Sequence, residues 1–303
     1  MLTAVAVTVA VIAAVCFAWA ATLQHRAIGQ SLDRAQPDEG RLLNPRRLWL
    51  LINSRGWLVG TALVGAGAAL HIVGLTLAPV SIIQPVGVLA VPLAVLFAAR
   101  LNRRRPSRRL LGFALITVAG ITTFVFLSVT HDSAKHAVNS ARAPWGLGVL
   151  SVLMIGCVVI ALVRPARDQC LAWAAAAAAG FGLGSALLRM LTLLWHREAG
   201  WGPLVLYAVL MLLSWTAGAW FHQQAYAAGP AEVVLGVLNV IDPLVAVVFG
   251  VLILGEGGLL TVPVTITMAV VGLVAAAGVV LLSRHHPEAR RMRSARPGTV
   301  PVV

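Results

Sequence analysis

Acidic residues are scarce in this chain: ten Asp and Glu in 303 residues, against 23 Lys and Arg. Only 11% of residues carry charge, where a soluble domain keeps about a quarter charged. With 59% apolar residues and a mean hydropathy of +0.90, the chain cannot solvate the surface of a water-soluble globular protein. Cysteine is also scarce. Cys16, Cys157 and Cys170 stand far apart without paired spacing, so neither a disulfide framework nor a zinc site is indicated. Lysine is nearly absent: 22 of the 23 bases are Arg and Lys135 is the exception, which reads as coding bias. No G-x-S-x-G, H-E-x-x-H or paired C-x-x-C occurs, so an enzyme has no motif to stand on and no cofactor is implied. Gly180-Phe181-Gly182-Leu183-Gly184 lacks the lysine of a phosphate loop and reads as part of a close-packing Ala/Gly face.

Long apolar runs are abundant. A spanning helix takes about 20 residues at 1.5 Å rise each. Nine such runs can be read: Leu2–Leu23, Trp57–Leu77, Val80–Ala99, Leu110–Thr130, Trp145–Val163, Cys170–Trp195, Pro203–Gln224, Ala231–Leu254 and Leu260–Ser283. The first carries Ala18-Trp19-Ala20, which resembles a signal-peptide cleavage site. No base precedes that run and several follow it, so it reads as an uncleaved anchor with its N-terminus outside. The remaining bases agree. Segments 24–56, 100–109, 164–169, 225–230 and the tail from Arg284 hold 19 of the 23, and the opposite side holds Lys135, Arg142 and Arg197. Such a bias marks the cytoplasmic side. The net charge of +13 is therefore a topology signal rather than a nucleic-acid footprint. The expected location is the plasma membrane, multi-pass, with the C-terminus cytoplasmic. The bilayer is the expected partner, with Arg103–Arg109 and the tail against anionic headgroups. Residues 284–303 read as a disordered basic tail, and Leu42–Ile52 as a short helix in the interface.

One internal repeat stands out. Gly67-x3-His71-x7-Pro79-x12-Pro92 recurs as Gly218-x3-His222-x7-Pro230-x12-Pro243, at a constant offset of 151 without a gap. Five spans separate each position from its mate, and an odd number of crossings reverses direction across the bilayer. Inverted repeats of this kind recur in secondary transporters, whose binding site lies near the midplane. The expected architecture is all-α integral membrane: one domain over 1–283, with repeat one at 1–130 and repeat two at 145–283, four helices plus five.

Gly67-Ala68-Ala69-Leu70-His71, Ala78-Pro79 and Gln84-Pro85-Val86-Gly87-Val88-Leu89 resemble the first-half signature of NIPA-type magnesium transporters. Gln224-Ala225-Tyr226, Gly229-Pro230, Asp242-Pro243-Leu244 and Leu254-Gly255-Glu256 are similar to the drug/metabolite transporter (DMT) superfamily more broadly. The resemblance covers most of residues 1–283. It implies a multi-span helical carrier with no ATP-hydrolysing part. Where the NIPA-type signature has an acid this chain has Ala68, and where it has Asn this chain has His71. Its first half thus offers little to a divalent cation.

Asp242 leads the candidate residues, because an acid at the centre of a span costs about 2.5–3.5 kcal/mol on insertion scales and is functional by default. Pro243 removes a backbone donor and frees the carbonyl of Asn239. Asn239 and Asp242 are helical neighbours three apart, and Glu232 falls on nearly the same face. Glu232, two residues after Pro230, fits a first-turn acid that favours the helix dipole. Symmetric placement singles out His71 and His222, since histidine exchanges a proton near physiological pH. Two histidines alone make no metal site. Arg189 stands in the outer part of the sixth span, where it can snorkel, pair with an acid or hold an anionic substrate. Gln84, Pro85 and Pro92 are expected to bend the third span. Its positions Ser81, Val88 and Val91 oppose Glu232, Asn239 and Asp242, so the polar equipment sits mainly in the second half.

The expected function is secondary transport of a small organic solute, as export, through alternating access around Asp242. A magnesium or other divalent-cation carrier is the alternative drawn from the first-half resemblance, and a non-transporting membrane scaffold is the second alternative. A homodimer is compatible with each.

Overall fold

The computed structural model describes residues 2–33, 43, 51, 53–77, 83, 86–103, 105, 107–130, 143–164, 166–196, 198, 200–248 and 261–285. Among them are nine α-helices and no strand: α1 (Leu2–Asp33), α2 (Arg55–Leu77), α3 (Ala90–Leu101), α4 (Arg108–Thr130), α5 (Ala143–Val163), α6 (Ala166–His196), α7 (Trp201–Ala228), α8 (Ala231–Val248) and α9 (Val262–His285). All but α3 and α8 are long and apolar enough to cross a membrane, seven in total. Each apolar run overlaps one of these helices. In lipid a segment has no water to bond its backbone, and a helix satisfies those groups within itself.

Two helices depart most from the expected bounds. α1 continues to Asp33 because its polar residues find partners: Gln24 Nε2 donates to Thr61 Oγ1 at 3.1 Å, and His25 Nδ1 lies 2.9 Å from the Tyr226 carbonyl oxygen. α3 begins only at Ala90, after a short helical stretch at Val86–Val88 and a turn at Leu89. The interruption therefore precedes Pro92, which is the third residue of α3. A first-turn N–H has no acceptor within its helix, so proline is tolerated there without a kink. α8, by contrast, continues past Pro243 to Val248. Gln84, Pro85, Pro79, Glu256 and the tail from residue 286 lie outside the described residues, as does most of Leu42–Ile52.

α8 is the central helix, packed against α1, α3, α4, α6, α7 and α9. Around it α6 lies against α5 and α7, α1 against α2 and α3, and α4 against α9. Residues 231–237 of α8 are all buried. Large apolar side chains such as Val152, Leu213 and Leu273 point outward from α5, α7 and α9. A surface of that kind suits hydrocarbon rather than water.

Polar contacts gather one set of helix ends. Trp57 Nε1 donates to Gln223 Oε1 at 3.1 Å, His25 meets the Tyr226 carbonyl, and the rings of Phe113 and His285 lie 5.0 Å apart. The ends of α1, α7 and α9 thus adjoin the starts of α2 and α4. The exposed Arg26, Arg55, Arg108 and Arg109 lie at this end. Because the start of α2 meets the end of α7, these two helices run in opposite directions.

Candidate functional site

The repeated Gly-x3-His turns out to be a helix-crossing device. A Cβ on Gly67 would fall 3.0 Å from the Phe17 ring and 3.3 Å from the Ala13 carbonyl oxygen, so the glycine admits α1 against α2. A Cβ on Gly218 would fall 3.1 Å from the Phe181 ring and 3.2 Å from the Ala177 carbonyl oxygen, which brings α6 against α7 in the same way. One turn later the histidines flank the same rings edge-on. His71 stands 6.5 Å from Phe17 at 64°, and His222 stands 6.1 Å from Phe181 at 84°. The partners repeat as well: Ala13-x3-Phe17 on α1 and Ala177-x3-Phe181 on α6.

The second unit carries further aromatics. The rings of His222 and Tyr226 lie 4.4 Å apart, and Tyr226 is buried. His71 Nδ1 and His222 Nε2 are both buried and find no hydrogen-bond partner among the described residues. His71 packs beside Gly87, whose Cβ would meet its ring at 3.5 Å.

Asp242 is the twelfth residue of α8 and its side chain is exposed, although α8 packs against six helices. Gly182 on α6 explains how the two helices meet there. A Cβ at that position would fall 2.7 Å from Val245 Cγ1 and 3.9 Å from Asp242 Oδ1, so only a glycine lets α6 lie this close beside the acid. One turn along, Ser185 is exposed, as is Leu188, while residues 182–184 and 186–187 are buried. α6 therefore bares one narrow arc beside the face of α8 that carries Asp242.

The other candidates divide. Asn239 is half-buried one turn before Asp242, and its Nδ2 donates to the Leu235 carbonyl at 2.8 Å, which turns the amide back on its own helix. Glu232 is 2% exposed in the first turn of α8, separated from the open part by the buried stretch to Val237. His71 belongs to the other crossing unit. Arg189 follows Gly182 by seven residues on α6, close to the same face by helical register, but its side chain lies outside the described part. Gln84 and Pro85 lie outside it too.

Phe17 and Ser185 went unnoticed in the sequence, and Phe181 and Gly182 were read only as part of a close-packing face. The A-x3-F pair was a usable signal, but it is embedded in alanine-rich runs where such a match carries little weight. Among the described residues no group of three or more His, Cys, Asp or Glu is placed to hold a metal ion.

The described helices, seven of them long and apolar enough to cross a membrane, make this an all-helical protein compatible with a multi-pass membrane protein. Searches of protein-family models, of curated proteins and of solved structures found no match to this chain.

Proposed function

We propose that this chain is a secondary carrier for a small organic solute, built as two inverted halves, with Asp242 as its proton- or cation-exchanging group. The observation that carries the reading is the exposed carboxylate of Asp242 on the helix that packs against six others. Keeping an acid there is costly in a bilayer, and such residues mark substrate or ion paths. A single carboxylate matches a singly charged group. A divalent ion such as calcium or magnesium is usually held by several oxygens or by retained waters.

Two features support the inverted halves. The α1–α2 and α6–α7 crossings share the same Gly, His, Phe and Ala partners, and α2 runs opposite to α7. His71 precedes the end of α2 at Leu77 by six residues, and His222 precedes the end of α7 at Ala228 by six. They therefore lie toward opposite ends of the bundle. With the arginine-bearing end taken as cytoplasmic, the N-terminus is outside and α9 ends inside.

The test uses proteoliposomes with an entrapped pH-sensitive dye and pools of amines, amino acids and other small metabolites added outside. A pool that the protein carries produces a solute-dependent proton flux, and Asp242→Asn abolishes it without changing expression or melting temperature. Full coupled flux in that variant would remove Asp242 from the mechanism.

A further inference from the structure

α4 and α9 cross in opposite directions. An added Cβ on Gly120 would fall 2.9 Å from the Ala275 nitrogen, one on Gly278 would meet Thr117, and the Phe113 and His285 rings lie 5.0 Å apart. The start of α4 therefore lies beside the end of α9. Arg109 precedes Phe113 by one turn and Arg284 immediately precedes His285, so the crossing gathers arginines that are far apart in the chain. Arg100, Arg103, Arg105 and Arg108 lie on the approach to α4, and all six are exposed.

Nothing on these elements balances that charge. No acid occurs between Glu39 and Asp132, and none in α9, so α3, α4 and α9 supply no counter-charge of their own. On α8, which packs against all three, Glu232 is buried. Beneath the arginines the same helices turn apolar side chains outward. Leu115 and Ile116 follow Arg108 and Arg109 by two turns, Val280 precedes Arg284 by one, and all three are exposed. Gly112, one turn after Arg108, leaves the backbone bare, since an added Cβ there would meet nothing within 4 Å. Guanidinium groups above an outward apolar surface match one phospholipid molecule. Arginine is always charged and its planar fork pairs with phosphate oxygens two at a time.

We infer that the α4–α9 crossing holds an anionic phospholipid, its phosphate among Arg108, Arg109 and Arg284 and its acyl chains against Leu115, Ile116 and Val280. The strip Arg103–Arg109 by itself would attract any anionic surface. Arg284 from a distant helix and the apolar track below it make the attraction a site for a single molecule. The site requires only that these helices lie in a bilayer and does not depend on the carrier reading.

The test uses the full chain purified in detergent and supplied with phosphatidylglycerol, phosphatidylcholine or inorganic phosphate. Retained lipid is counted by native mass spectrometry, and melting temperature is followed in parallel. Phosphatidylglycerol stays bound at concentrations where phosphatidylcholine does not, and it raises the melting temperature. Each arginine near the membrane surface adds enough attraction that losing two weakens binding roughly thirty-fold. Arg108→Gln with Arg109→Gln therefore sheds the lipid, while Arg26→Gln with Arg55→Gln, exposed at the same end on α1 and α2, keeps it. Gly112→Leu, which leaves every arginine in place and puts bulk where an acyl chain would lie, also lowers retention and decides the matter if the double variant does not fold. Equal retention of the two lipids, or equal retention by the two arginine pairs, overturns the site. A melting-temperature rise with inorganic phosphate as large as that with phosphatidylglycerol overturns the lipid as its ligand. Solute flux enters none of these readouts, so they stand whether or not the chain is a carrier.

Discussion

A backbone-to-backbone approach between α6 and α7 allows a quantitative prediction for Gly180→Ala. A Cβ at Gly180 would fall 2.9 Å from Gly218 Cα, 3.1 Å from its nitrogen and 3.3 Å from the Ser214 carbonyl oxygen. All three are backbone atoms, so no side chain can swing aside. Carbon contacts are comfortable at about 3.5–4.0 Å, and the helices must separate by roughly 0.5–1 Å. Ser214 Oγ donates to the Gly180 carbonyl at 2.7 Å, and the same displacement takes that bond toward or beyond the useful limit of about 3.0 Å for a hydroxyl donor. Overpacking costs about 1–3 kcal/mol, and an interhelical bond in a membrane is worth about 0.6 kcal/mol. Alanine recovers about 0.8–1 kcal/mol of helix propensity. The net loss is about 1–3 kcal/mol, equivalent to a melting temperature several degrees lower by the scaling for domains of this size. Thermal melting followed by size-exclusion chromatography in detergent measures it. Gly156→Ala on α5 is the control, because nothing lies within 4 Å of its added Cβ. Equal melting of Gly180→Ala and Gly156→Ala would mean that α6 and α7 do not cross backbone to backbone here.

Two further substitutions probe other contacts. Gly278→Ala drives a Cβ to within 2.5 Å of Thr117 Oγ1 and 3.0 Å of its nitrogen, so α9 and α4 should part at a cost of about 1–3 kcal/mol. Adding Thr117→Ala should restore only part of the melting temperature, since the backbone clash remains; complete rescue would assign the strain to the hydroxyl alone. His222→Phe removes a buried nitrogen without a partner, an arrangement that costs about 1–3 kcal/mol, and keeps a ring against Phe181 and Tyr226. Its melting temperature should hold or rise, and a fall of several degrees would show that Nε2 has a partner after all.

Much of the secondary structure was legible because a helix in lipid is a local object. Run lengths alone placed α2, α4, α5 and α9 within two residues of their observed ends. The misjudged ends share a cause. α1 extends through Gln24, His25 and Arg26 because Thr61 and Tyr226, distant in sequence, accept its polar groups. α3 starts late because the position of Pro92 within the helix, rather than its presence, decides whether it bends anything. The Gly-x3-His repeat was visible as a pattern. Its physical meaning was not, because the partners at Phe17 and Phe181 lie on helices that the motif does not include.

Composition and spacing by themselves determined the all-helical class and the long apolar helices, since each follows from a short segment that satisfies its own backbone. Tertiary structure alone decided what the scarce acids do. Glu232 and Asp242 sit on one helix ten residues apart, yet one is sealed and the other open. That difference depends on which neighbouring helix lies beside each acid and on whether it presents bulk or a glycine there, as Gly182 does.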